Sequence, residues 1–261
     1  MRLATFIAGD EATPRAGEVR GDRIVAYPDG TTVLDLLASG EIRPADGPEL
    51  AIDEVTLLAP VPRPRAIFAI GMNYAAHAAE VGAEVPERPV VFMKLPSSSA
   101  PPNGEISYPQ VIRRLDYEGE LAIVIGAGGR IAGYAVADDL SARDLQRREP
   151  QWTRAKGFDN SCPWGPWITT VDEVPDPRNL RLRTWVNGDL RQDSSTADLI
   201  FGPQEVVGFI AETCTLEPGD LILTGTPSGV GMSMDPRRFL ASGDVVRIEI
   251  DALGAIEHRI A

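Results

Sequence analysis

Histidine and cysteine are nearly absent. The 261 residues hold two of each: His77 and His258, Cys162 and Cys214. A zinc centre built from several imidazoles and thiolates needs more ligands, closer together. A disulfide framework is equally excluded in a chain of this length, and two cysteines fit a reducing compartment. Any metal must therefore be held mainly by oxygen, which favours Mg2+, Mn2+ or Ca2+. Basic residues are also in short supply. There are 25 Lys and Arg against 38 Asp and Glu, for a net charge of −13. That charge repels a phosphate backbone, so nucleic acid is not an expected partner. Long apolar runs are missing too. No stretch approaches the ~20 residues that span a bilayer. The opening MRLATFIAGDEATPR lacks the apolar core of a secretion signal. The expectation is a cytoplasmic protein with no membrane partner.

Proline (22) and glycine (25) are plentiful and fall between short apolar runs. That punctuation predicts many short strands joined by turns, with few long helices. Residues 1–58 read as a small N-terminal unit and 59–261 as the main domain, with PVPRPR (60–65) as a hinge between them. In the first unit, strands are expected over Arg2–Ala8 and Arg23–Tyr27. A helix over Thr32–Ala38 follows, capped by Thr31 or Thr32. In the main domain, strands are expected at Ala66–Ile70, Pro89–Leu95, Asp116–Gly126 and Arg130–Ala137, with helical turns at Tyr74–Val81. Ser141 should N-cap a helix reaching about Arg148, with Asp144 supporting its start. Asn187-Gly188 is a strong hairpin signal between Leu180–Val186 and Asp189–Gln192. A helix over Pro203–Thr213, a strand at Leu221–Leu223 and a closing hairpin (Val245–Ile250, Ala255–Ile260) complete the expected elements.

The sharpest chemical feature is Asp116-Tyr117-Glu118-Gly119-Glu120, just ahead of the apolar run LAIVIG. Residues two apart in a strand share a face, which would align Asp116, Glu118 and Glu120. Stacked carboxylates need a cation or solvent between them, so the pattern fits a metal site or a solvated strand edge. A second acidic cluster, Asp138-Asp139-Leu140-Ser141-Ala142-Arg143-Asp144, follows about twenty residues later. If 116–126 and 130–138 pair antiparallel, Asp139 returns near Glu118 and Glu120. Three oxygen ligands then converge, an arrangement suited to a hard catalytic cation. The alternative is that these acids serve the helix dipole, a role assigned to Asp144.

Other candidates are weaker alone. His77 and Glu80 share one helical face, as a base with its orienting carboxylate or as a surface pair. Lys156, in WTRAKGFDN, could stabilise a developing enolate or simply be solvated. The glycine-rich segment from Pro218 to Gly231 could hold an anion through backbone N–H groups, or be a tight turn. It has no P-loop lysine, and no dinucleotide-binding glycine motif follows a strand, so nucleotide binding is disfavoured.

Taken together these segments resemble the fumarylacetoacetate hydrolase family. Seven pieces carry the resemblance in order: IGMNYAAHAAE (70–80), PVVFMKLPSS (89–98), DYEGELAIVIG (116–126), IAGYAVADDLSARDLQ (131–146), KGFDNSCPWGP (156–166), TWVNGDLRQ (184–192) and LEPGDLILTGTPSGVG (216–231). The resemblance implies an α+β, mainly β fold: a mixed β-roll core with short helices, a small N-terminal domain, and a homodimer. It makes Glu118, Glu120 and Asp139 the ligands of Mg2+ or Mn2+, with Ca2+ able to stand in within a crystal. It makes His77 and Glu80 a water-activating dyad on a mobile lid. Lys156 faces the substrate's enolate or carbonyl oxygen, and Arg143 and Gln146 line the pocket, Arg143 with a structural role as the alternative. Thr226 and its neighbours bind the substrate carboxylate. The implied substrates are 2,4-diketo acids or other small 2-oxo acids. Since His77 and Glu80 are both present, hydrolysis of the C–C bond of an acylpyruvate is the favoured activity. Decarboxylation of oxaloacetate and isomerisation or decarboxylation of 2-hydroxyhepta-2,4-diene-1,7-dioate are alternatives on the same fold. A non-catalytic metal-binding protein is the alternative of another class. Three positions depart from the family pattern. Asp138 stands where Asn is common, which could add a competing ligand. Ala155 replaces a Gly before Lys156. Ser195–Asp198 differs from the usual Asn-Thr stretch, which affects contacts to the substrate tail.

Overall fold

The computed structural model describes residues 1–9 and 13–261. Two sheets dominate, and the class is α+β, mainly β. The larger has twelve strands. Its main path runs Glu49–Ala51, Arg23–Ala26, Arg15–Arg20, Arg2–Ala8, Cys162–Thr170, Ile131–Asp138, Gly119–Ile125, Leu221–Leu223, Ile67–Gly71 and Val90–Lys94. Along this path only Leu221–Leu223 and Ile67–Gly71 run parallel. The smaller sheet orders Asp189–Ser195, Arg181–Val186, Val245–Ile250, Gly254–Ile260 and Asn103–Ile106. Helices are short, as the density of Pro and Gly requires; the longest among the described residues is Pro203–Ala211. None of those residues forms a helix long and apolar enough to cross a membrane.

Gly119–Ile125 is the spine, and it is buried along its whole length. Alternate side chains of a strand point to opposite faces. Leu121, Ile123 and Ile125 join Leu182, Val246, Ile248 and Ile256 of the smaller sheet and Val206 and Ile210 of the helix. Ala122 and Val124 face the other way, onto Leu37, Ile67, Trp164 and Ile168. A strand buried on both faces has no polar alternation, which is why LAIVIG reads as a continuous run. The antiparallel pairing of Gly119–Ile125 with Ile131–Asp138 is present, with Gly119 opposite Asp138.

The first 58 residues have an apolar cluster of their own (Ala4, Phe6, Val19, Ile24, Ala26). They also share the main sheet, because Leu3 pairs with Ile168 across Arg2–Ala8 and Cys162–Thr170. Thr32 caps the helix Val33–Ser39, accepting from Asp35 N while Asp35 answers the Thr32 N–H.

Two local expectations differ from the structure, and one strand has no counterpart among them. Cys162–Thr170 is a central strand although it contains Pro163, Gly165 and Pro166. Proline has no N–H to give a ladder, and the pairing register slips between Tyr134 and Val136, opposite that segment. Ser141 is not a helix cap. It pairs with Asp116 in a short two-stranded ladder, and its hydroxyl donates to the Asp139 carbonyl. The helix starts at Arg143, with Asp144 in its first turn accepting from Arg113 N. Finally, Asp116–Gly126 is not one strand. It breaks at Tyr117-Glu118, between Leu115–Asp116 and Gly119–Ile125.

Candidate metal centre and active site

The strand break separates the acids that sequence periodicity would align. Asp116 turns away from Glu118 and Glu120. Its carboxylate accepts from Arg143 Nε (2.8 Å), Gly231 N (2.8 Å), Met232 N (3.0 Å) and Tyr117 N (3.1 Å). It ties the helix Arg143–Arg148 to the loop at Gly231, and the expected face-sharing of Asp116 is corrected accordingly. Asp138 also faces away from the other acids. Its Oδ1 accepts from Glu118 N (2.8 Å), and its Oδ2 lies 3.0 Å from Nε2 of the buried His258.

Glu118, Glu120 and Asp139 do converge. One oxygen from each lies within 4.8 Å of the others, and all three residues are buried. The pairing of Gly119–Ile125 with Ile131–Asp138 delivers them, fixed by the Asp139 N–H bond to the Glu118 carbonyl (2.9 Å). Glu120 Oε2 accepts from Gly225 N (2.6 Å). Gly225 adopts φ 98°, and a Cβ there would stand 2.8 Å from the Asn73 side chain, so glycine is required for this approach. Asn73 braces the same corner, donating to the Thr224 and Phe201 carbonyls.

Three buried cations face the cluster. Lys156 Nζ donates to Glu118 Oε2 (2.6 Å) and Asp139 Oδ2 (2.7 Å) and sits 5.3 Å from the Phe92 ring centroid. Arg143 Nη2 is 2.6 Å from Glu118 Oε1. Lys94 Nζ donates to Asp139 Oδ1 (2.6 Å). The consequences for ionisation are uneven. Burial raises the Glu118 carboxyl, but Lys156 and Arg143 outweigh it and hold the group below its ordinary range. Burial depresses the Lys156 ammonium, but Asp139 and Glu118 more than offset it. Glu120 is pushed well above the usual carboxylate range, by burial first and then by Asp139 and Glu118. A carboxyl driven up by two acid neighbours, with no donor to its Oε1 among the described residues, is what a further cation would relieve. The residues present therefore fit a hard divalent ion held by Glu118, Glu120 and Asp139.

A cavity of about 190 Å³ opens onto this cluster, lined by His77, Glu118, Glu120, Arg143, Gln146, Lys156 and Thr226 and walled by Ile70, Phe92 and Trp152 among others. Helix Ala75–Glu80 carries the dyad. His77 Nδ1 lies 3.1 Å from Glu80 Oε2, and Glu80 Oε1 accepts from Gly229 N (2.8 Å). His77 is buried, so the pair is not a surface ornament. Arg143 Nη1 donates to Gln146 Oε1 (3.0 Å). Arg143 is thus both structural and cavity-lining. Thr226 lines the cavity, but its hydroxyl is engaged, donating to the Gly119 carbonyl and accepting from Gln192 Nε2. A larger cleft of about 510 Å³, between Leu37, Ile42, Arg130 and Val171, brings together no such set of groups.

Sequence reasoning missed Lys94, Gln192 and Asn73. Lys94 carried a faint signal, a lysine ending the apolar run PVVFMK. Gln192 accepts from Gly119 N and donates to Thr226 and the Pro227 carbonyl; nothing in its local sequence marks it as buried.

The family model for the C-terminal domain of fumarylacetoacetate (FAA) hydrolase matches residues 66–261. The mitochondrial oxaloacetate tautomerase FAHD2B of Bos taurus is 41% identical over 287 residues, spanning 100% of this chain and 91% of its own length. Among solved structures, the fumarylacetoacetate hydrolase of psychrophilic Exiguobacterium antarcticum aligns with TM-score 0.89 at 35% identity, covering 100% of this chain and 99% of its own. The 5-carboxymethyl-2-hydroxymuconate delta-isomerase of Mycobacterium smegmatis aligns with TM-score 0.83 at 36% identity, with the same coverage.

Proposed function

This chain belongs to the fumarylacetoacetate hydrolase family, and on that premise we propose that it is a Mg2+- or Mn2+-dependent enzyme that moves a proton at C3 of a small 2-oxo acid, with keto–enol tautomerisation of oxaloacetate as its leading reaction. The observation that carries this reading is the meeting of three carboxylates, a buried lysine and the His77–Glu80 dyad at one small cavity. The relative's name supplies the substrate. The cavity, about 190 Å³, is small, which suits a short diacid.

The ion would supply a Lewis acid at the 1-carboxylate and 2-oxo end, making that end an electron sink. The chain's own groups do the rest. With the Nδ1 proton shared with Glu80, His77 Nε2 has a free lone pair and takes a proton from C3. Lys156, hydrogen-bonded to Glu118 and Asp139, turns its ammonium to the 2-oxygen as negative charge grows there and gives it the proton that completes the enol, solvent restoring the proton to Lys156 and taking it from His77. Running the same transfers backwards returns the ketone. Arg143 donates from Nε to Asp116 and from Nη1 to Gln146, and its buried Nη2 forms an ion pair with Glu118; the second N–H of Nη1 is left for a distal carboxylate. Phe92 and Trp152, in edge contact at 5.3 Å, keep water from the reacting face.

A second reading, C–C hydrolysis of an acylpyruvate, uses the same dyad to deprotonate water instead of C3. It is favoured by Glu80, which holds His77 as a base for either task. Decarboxylation of oxaloacetate draws on the same electron sink. A non-catalytic binding role leaves the dyad without a purpose. Two further points belong to the proposal. The unpaired Cys162 and Cys214 fit a cytoplasmic setting. A second copy of the chain covers the edge strand Val90–Lys94, where Val91, Met93 and the adjoining Leu95 present exposed apolar side chains.

The test mixes Mn2+-loaded protein with freshly dissolved enol-oxaloacetate, following loss of enol absorbance, and in parallel with acetylpyruvate, following pyruvate release. Fast enol decay that His77→Ala abolishes is expected. Pyruvate from acetylpyruvate with enol decay at the buffer rate would replace the first reading with the second, and inertness in both assays would overturn both.

A further inference from the structure

We infer that Lys94 is a positioning residue that sets where the Lys156 ammonium can reach. The strand Val90–Lys94 inverts the usual alternation. Val91 and Met93 face outward and are exposed, while Phe92 and Lys94 turn inward. Lys94 is 1% exposed, and a lysine is almost never buried so fully without partners. Its partners are specific. Nζ donates to Asp139 Oδ1 (2.6 Å) and to the main-chain carbonyl of Lys156. Ser161 Oγ donates to that same carbonyl (2.6 Å). The peptide from which the Lys156 side chain springs is therefore clamped from two sides, and one clamp is itself anchored on a proposed metal ligand.

Asp139 lies between two ammonium groups, one on each oxygen. Lys94 occupies Oδ1, and Lys156 occupies Oδ2. Lys94 does not line the cavity, so it has no route to a substrate except through these two residues. Its grip on Oδ1 orients the carboxylate so that Oδ2 meets the Lys156 ammonium beside Glu118. Its grip on the carbonyl fixes the base of the Lys156 side chain. A misplacement of about 1 Å in a group that meets the reacting atoms can cost about 100-fold in rate. Lys94 is thus predicted to govern turnover through Lys156 without holding the metal.

This inference rests on the reading of Lys156 as the partner of the substrate oxygen. The test therefore uses binding as well as turnover. Lys94→Met and Lys94→Gln are made alone, and Lys94→Met is combined with Lys156→Met. Folding is checked by thermal unfolding, Mn2+ affinity by spin resonance, and oxalate binding to the Mn2+-loaded protein by calorimetry. Oxalate is a planar dianion with two adjacent oxygens, like the enol form of a 2-oxo acid. The expected result is Mn2+ affinity within about tenfold of the parent, kcat lower by about 100-fold and KM changed less than about threefold. Oxalate affinity should fall in Lys94→Met, and the double variant should bind oxalate no worse than Lys156→Met alone, because the two act as one unit. Additive losses of oxalate binding would overturn the proposal. So would a kcat loss that saturating Mn2+ restores, unchanged oxalate binding in Lys156→Met, or failure of both single variants to fold. A parent protein inert towards every 2-oxo acid would defeat the proposed reaction while leaving the oxalate cycle to decide the role of Lys94.

Discussion

Asp116 and Glu120 lie four residues apart, both fully buried, and the protein treats them in opposite ways. Asp116 receives a guanidinium and three backbone N–H groups. Glu120 receives one N–H and faces two carboxylates. Burial raises both carboxyls. For Asp116, Arg143 and the Met232 N–H pull it part of the way back and leave it still raised; for Glu120, Asp139 and Glu118 push it further, well above the usual range. Burial alone therefore does not distinguish a structural acid from a ligand. What distinguishes them is whether the surrounding chain answers the charge.

The substitution with the largest expected effect tests this contrast directly. Glu120→Gln should remove turnover and weaken Mn2+ binding by more than about 100-fold, beyond what loss of an outer partner of a ligand costs. Its fold should stand, since a neutral amide relieves the repulsion. Asp116→Ala should do the reverse. It leaves Arg143 buried with one anion fewer, at a cost of about 3–5 kcal/mol. Denaturant unfolding and Mn2+ titration of both variants give the answer, and equal destabilisation by the two substitutions would break the distinction.

Next in size is His77→Ala. Loss of a positioned general base should lower kcat by about 10²–10⁴-fold while Mn2+ affinity stays near the parent value, because the hydrogen bond of His77 is to Glu80 and the three carboxylates converge without it. A parallel fall in Mn2+ affinity would move His77 into the ligand set.

Much of the acidic cluster was legible in the sequence, but not the contrast between Asp116 and Glu120. The antiparallel return that brings Asp139 to Glu118 and Glu120 followed from two apolar runs and one Gly-Gly turn, and Leu221–Leu223 and Arg2–Ala8 appear at the expected residues. Asn187-Gly188 forms its hairpin turn with both residues at positive φ. What could not be read were departures from regular pairing. Two-residue periodicity placed Asp116 beside Glu118, but the chain breaks at Tyr117 and the period does not carry across. Pro163 and Pro166 hid a central strand, which keeps its pairing only by a register slip in which four steps from Gly165 to Thr169 span two steps of its partner, Tyr134 to Val136. Lys94 and Gln192 are defined by contacts 34 or more residues away, which no local pattern records.

A smaller effect sharpens the electrostatic side. The folded carboxyl of Glu120 is raised above its unfolded value. The metal-free protein therefore carries a stability contribution that is complete below the unfolded pKa and is lost as pH rises through the folded one. An ion at the cluster needs the ionised form, so its binding must expel that proton. The apparent Mn2+ affinity should rise by up to about tenfold per pH unit below the folded pKa of Glu120 and level off above it. In Glu120→Gln that slope should vanish. A flat profile in the parent would show that Glu120 is already ionised and its charge already answered.

The smallest expected effect carries the same contrast to apolar groups. Val91, Met93 and Leu95 have water where their counterparts Phe92 and Lys94 have the protein. An unanswered apolar stripe on an edge strand is a natural seat for another copy of the chain. Met93 is 45% exposed. Covering that exposed part on association is worth on the order of 1 kcal/mol at ~25 cal/mol per Å², so Met93→Lys should weaken a dimer by about tenfold. Sedimentation of parent and variant across a concentration series measures the shift. Turnover per chain should change little, because Met93 points away from the cavity that Phe92 helps to wall. A parent protein that sediments as a monomer at every concentration would leave the stripe without its proposed occupant and confine the contrast between answered and unanswered groups to the buried acids.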